Sequence, residues 1–141
     1  MLYNLNFMEF KSVAAVIGGL LGALIGGMDG CVYALIVFIV IDYITGVMCA
    51  ISEKKLSSEV GAHGIMKKVV MIMMVSVGNI IDLYIIKEGS AIRSMVAFFY
   101  LANEGISILE NAARLGIPVP KKLRDLLSQL KDKNDEGTPT E

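Results

Sequence analysis

Asp42 stands near the middle of Cys31–Ile51, a run in which every other side chain is uncharged. A carboxylate at the centre of a lipid-spanning helix costs about 2.5–3.5 kcal/mol, so the run must turn this residue toward protein or water rather than acyl chains. Composition decides what surrounds it. Of 141 residues, 55% are hydrophobic and 19% charged, too apolar a mixture for one soluble core of that size. Lipid is therefore the solvent of most of the chain. A net charge of -1 argues against nucleic acid as a partner, because phosphate binding needs a strongly basic surface.

Cys31 and Cys49 share one apolar run, with no CxxC spacing and no histidine cluster. That pattern points away from a disulfide scaffold and from a metal site. Without a nucleophile–base pair, metal spacing or phosphate loop, the expectation is no catalytic residue, no cofactor and no enzyme. His63, the one histidine, reads as a solvated loop side chain rather than a base.

Apolar runs predict an all-α membrane protein with four transmembrane helices at about 12–28, 31–51, 69–86 and 91–109, since a span needs about 20 apolar residues. A secretory signal peptide is the competing reading of the first run, disfavoured by its glycines and by the spans that follow. Asp29–Gly30 and Lys87–Ser90 read as brief turns, and Ser52–Lys68 as a polar loop. The last run is the least secure because it holds Arg93, Asn103 and Glu104. As a span it lets Arg93 near one end snorkel and Glu104 near the other reach an interface; three spans plus a helix lying in the interface is the alternative. Ile117–Pro118 and Val119–Pro120 then stop the helix. Leu123, Leu126, Leu127 and Leu130 fall on one face of a further amphipathic helix, about 121–133. The whole reads as one multi-pass membrane domain, 1–133, followed by a disordered polar tail, 134–141.

Two patterns inside the spans invite a function. Ala14, Gly18, Gly22 and Gly26 recur every four residues, with Ala15, Gly19, Ala23 and Gly27 beside them. Small residues let membrane helices approach closely, either within the chain or between copies of it. Asp42, Asn79, Asp82, Asn103 and Glu104 form the second pattern, embedded polar groups that need one another or water. An ordinary pair inside the bundle, such as Asp82 with Arg93, is the bland account of them.

Charge sets the topology. With four spans, every one of the 13 basic residues except Lys87 and Arg93 falls on the side that holds both termini. The positive-inside rule makes that side cytoplasmic.

Asp42-x-x-Thr45-Gly46 followed by Lys54–Lys55, Ser57–Ser58, Gly61, Gly64 and Lys67–Lys68 resembles the phage-lysis and toxin-secretion holins of Gram-positive bacteria and their phages. Glu104-x-x-Ser107-Ile108-Leu109-x-Asn111, then Leu115-Gly116-Ile117-Pro118-Val119-Pro120-Lys121-Lys122, is similar to that family's C-terminal signature. The resemblance implies a small protein of the host cytoplasmic membrane that homo-oligomerises and opens lesions. Through these the endolysin, as released cargo rather than bound ligand, reaches the cell wall, and some relatives are linked to release of large toxins. Two other functions fit the residues: a small proton-coupled exporter built on membrane acids, and an antiholin or regulatory membrane partner of the same family.

Overall fold

A computed structural model describes Leu2–Asp135 as five helices in chain order: α1 (Leu2–Ile25), α2 (Gly30–Ser52), α3 (Ser58–Ile80), α4 (Ala91–Arg114) and α5 (Lys121–Asp135). Four stretches are long and apolar enough to cross a membrane: Asn6–Ile25, Gly30–Ser52, Ser58–Ile86 and Ala91–Arg114. The chain reverses at each link. The links at 26–29 and 87–90 therefore share one end of the bundle, the turn end, and those at 53–57 and 115–120 share the other.

Local chemistry sets each boundary. Gly26 and Gly27 adopt left-handed backbone (φ 87° and 95°). The Gly27 N–H returns to Gly22 O and the Gly26 N–H to Ala23 O, the paired bonds of a Schellman stop. The first helix thus ends at Ile25, short of the expected Met28. The Asp29 carboxylate accepts the Val32 N–H at 2.9 Å and starts α2, as the Ser57 hydroxyl does for α3 by accepting the Val60 N–H at 3.2 Å. The expected polar loop Ser52–Lys68 is a correction. Only 53–57 is a link, and Ser58–Lys68 is the first part of α3. At about 1.5 Å per residue, the 29 residues of Ser58–Ile86 run about 43 Å, against about 30 Å of hydrocarbon. Helix and polar sequence coexist because the excess length extends beyond the apolar layer.

Past Ile80 the helix widens for one turn, Ile81–Ile86, closed by the Lys87 N–H on Asp82 O at 2.8 Å. This wide turn carries Asp82 into the bundle, where it is buried. The fourth span runs five residues beyond the expected Leu109, to Arg114. There Gly116 (φ 83°) repeats the Schellman stop, through Gly116 to Ala113 O and Ile117 to Ala112 O. Asn134 and Asp135 still belong to α5; the rest of the expected tail, 136–141, lies outside the described residues.

The core gathers Ile25, Val32, Leu35, Val75 and Ala97 toward the turn end. α4 is its centre and packs on α2, α3 and α5. Close approach occurs at glycines that the sequence reading passed over. A Cβ on Gly105 would sit 3.0 Å from the Leu127 methyls and 3.2 Å from the Phe38 ring, and one on Gly78 would sit 3.0 Å from Arg93 Cα. By contrast, Gly18, Gly19, Gly22 and Gly27 meet nothing within 4 Å, while Gly26 at the end of the stripe lies against Asn79 and Arg93. Gly26 and Gly27 also lie past the helix rather than on it.

Candidate functional site

Two charged clusters sit inside this apolar bundle, and each uses acids that the sequence singled out. The first joins α2, α3 and α4. Lys68 donates to Asp42 Oδ2 at 2.5 Å and to Glu104 Oε2, so one ammonium bridges two carboxylates. Asn111 Nδ2 donates to Asp42 Oδ1 at 3.1 Å and to Thr45 Oγ1 at 3.0 Å. Glu104 is 2% exposed. Helical spacing puts Gly61, Gly64, Lys68 and Met71 on one face of α3, and these residues line a cleft of about 350 Å³ with Asp42, Glu104 and Ser107. The cleft begins beside Leu56 and Val60 near the 53–57 link, and the trio lies along its wall.

Of the expected motif residues, Asp42, Gly46, Gly61, Gly64, Lys67 and Lys68 line the cleft, and the two prolines do not. Tyr43 lies against bare backbone: a Cβ on Gly64 would be 3.4 Å from its ring and one on Gly61 3.4 Å from its hydroxyl. Gly46 faces Asn111, with a Cβ position 3.8 Å from Nδ2. Lys67 borders the cleft but is exposed. Pro118 and Pro120 lie in the α4–α5 link, and the Pro120 carbonyl accepts the Leu123 and Arg124 N–H groups at the start of α5.

The second cluster lies at the turn end. Asp82 accepts the backbone N–H of Ile92 at 3.1 Å and of Arg93 at 2.8 Å, capping α4 from a neighbouring segment. The anticipated Asp82–Arg93 charge pair is therefore a backbone cap. The guanidinium goes elsewhere: Nε to Ile25 O at 2.5 Å, a terminal nitrogen to Gly27 O at 2.8 Å, and the other to Asp29 at 2.5 Å. Asn79 donates to Leu24 O at 3.0 Å. Together Arg93 and Asn79 satisfy carbonyls that the end of α1 leaves open. Arg93 does not snorkel, being 4% exposed. Its guanidinium, with the Val32 N–H, holds the Asp29 carboxyl below the usual carboxylate range. At the opposite end, Arg114 does the same for Glu53, with which it pairs at 2.8 Å. Asn103 is half-buried and belongs to neither cluster.

Sequence reasoning assigned Lys68 to a loop and missed Asn111 and Asp29 as partners. Ser57 as a cap, with Glu59 in the turn after it, was the available signal that the helix starts early enough to carry Lys68 inward.

A model described as the Bacteriophage holin family matches residues 19–132. The chain belongs to this family. The match covers α2, α3 and α4 whole, and with them both clusters of this holin-family protein. An uncharacterized protein of Clostridium perfringens is 40% identical over 84% of this chain and 88% of its own length. One from Listeria monocytogenes is 44% identical over 78% of each. A probable holin of Bacillus phage phi105 is 36% identical over 74% of this chain and 76% of its own. No solved structure matches. Family and four apolar helices together make this a multi-pass membrane protein in which holin function is supported.

Proposed function

We propose that the protein oligomerises in the bacterial cytoplasmic membrane, both termini in the cytoplasm, and opens lesions that release an endolysin or a large toxin. The observation that carries this reading is α1. In a chain of the holin family, a helix apolar enough to span the membrane stands exposed with its glycine face open. In lipid, helices associate through close packing of small residues rather than through burial of oily surface, and that face offers it. The basic residues near the two termini and the 53–57 link support the orientation.

The trio supplies the other half. Asp42, Lys68 and Glu104 neutralise one another in part within the bundle. Once helices separate, the same groups tolerate water far better than lipid and would line the wet side. Replacing Asp42 or Asp82 with leucine should shift the onset of lysis, and unchanged timing at equal expression would remove these residues from the process.

Inducible expression with and without a cytoplasmic muralytic enzyme tests the reading. Abrupt loss of viability and membrane potential, with clearing only when the enzyme is present, is the expected result. Resistance to a toxic compound without killing would favour the proton-coupled exporter, for which the acid-lined cleft is the relevant observation. Delay of a co-expressed holin, without killing of its own, would identify a regulatory partner.

A further inference from the structure

We propose that α1 is a releasable arm, hinged at Gly26–Gly27 and clamped to the α2–α4 core, among the described residues, only at the turn end, by Arg93 and Asn79. Along its length α1 comes close to one helix, α3. From Asn6 to Leu24 its residues are exposed apart from half-buried Gly22, and Ile25 is the one that enters the core. An apolar groove of about 410 Å³ opens where the arm stands off, between Leu21 on one side and Val40, Ile44, Val69 and Met73 on the other. Ser12, inside the arm, bonds back to Met8 O at 2.9 Å rather than to the core.

Among the described residues, its polar ties to the core lie within a few positions of one another. They are the Asn79 bond to Leu24 O and the Arg93 bonds to Ile25 O, Gly27 O and Asp29. A side chain on Gly26 would overlap Asn79 and come within 2.9 Å of Arg93 Nε, so the glycine is what lets the clamp close. Moving an apolar helix from protein to lipid exchanges like for like. Polar contacts therefore decide whether α1 stays, and both glycines of the hinge already occupy backbone regions open chiefly to glycine.

Full-length protein in lipid nanodiscs, with Cys31→Ala and Cys49→Ser removing the native thiols, tests the arm. Spin labels at Val16→Cys and Met73→Cys report α1 against α3; labels at Ile44→Cys and Phe98→Cys report α2 against α4. Dilution with unlabelled chain restricts the signal to intrachain pairs. Arg93→Gln should lengthen and broaden the α1–α3 distances and leave α2–α4 unchanged. Asp29→Asn keeps the cap of α2 and should give the same change more weakly, so the test survives if the arginine variant fails to fold. Unmoved α1–α3 distances in the variants that fold, or α2–α4 distances that broaden as much, overturn the proposal. The readout is independent of killing, so a chain that releases its arm without lysing cells would sink the function above and leave the arm standing.

Discussion

α1 and α4 are each 24 residues long, and the more apolar of the two is the one that packs less. α4 carries Arg93, Glu104 and Asn111, all buried, together with Ala97, Ala102 and Gly105. Among its described residues, α1 leaves Phe7, Phe10, Val13, Val16, Leu20 and Leu24 all exposed. In water the order would be reversed. In a bilayer acyl chains satisfy an oily helix as well as protein does, so polar partners and close backbone approach determine which helix becomes the centre.

The largest test of that contrast is Lys68→Met. It leaves Asp42 and Glu104 facing each other without a counter-charge, and breaking a buried ion pair from one side costs about 3–5 kcal/mol. Unfolding in bicelles should show a loss near the lower end of that range, because Lys68 and Asp42 retain 15% and 14% exposure. Adding Glu104→Gln removes one stranded charge and should restore more than half. If Lys68→Met proves neutral, the trio does not hold α4 at the centre.

Glycine substitutions compare the two helices directly. Gly105→Val forces a side chain toward Leu127 and Phe38, where a Cβ alone would already lie within 3.2 Å of both, and overpacking of this kind costs about 1–3 kcal/mol. Gly18→Val enters open space and should change monomer stability by less than about 0.5 kcal/mol. Its effect should appear instead as loss of crosslinked oligomers. Equal destabilisation by the two variants would mean that the Gly18 face packs within the chain, and undiminished crosslinking would take the glycine face out of assembly.

How much of this was legible beforehand follows the same division. Apolar runs pointed to all four helices long and apolar enough to cross a membrane, since length and composition decide those. The acids were legible as misfits in lipid, but their partners were not, because helical phase cannot say which face of α3 meets which face of α2. Lys68 was hidden for a further reason. The polar stretch Ser52–Lys68 was read as a loop, whereas a helix longer than the apolar layer can begin in polar sequence. Gly78 and Gly105 lacked the four-residue repeat that drew attention to α1, yet each sits where two backbones meet. Gly18 and Gly22 of the repeat face open space, whereas Gly26 at its end and the isolated Gly78 and Gly105 mark contacts.

The smallest effect concerns pH and separates the clamp on α1 from the rest. Asp29 has its carboxyl held below the usual range by Arg93, so it favours the clamped state in full at and above ordinary aspartate values. That contribution is lost as pH falls through the lowered value. The guanidinium faces the Asp29 carboxylate and the carbonyls of Ile25 and Gly27, and of these only the carboxylate titrates. Broadening of the α1–α3 distances should therefore begin only in strong acid, and be partial, since the carbonyl bonds remain. Asp29→Asn should abolish the pH dependence. Glu53 is likewise held low, by Arg114 at the far end, but Glu53→Gln should leave the α1–α3 distances and their pH dependence untouched. If Glu53→Gln shifts them as much as Asp29→Asn, acid acts through the whole bundle, and α1 is not governed by its own clamp.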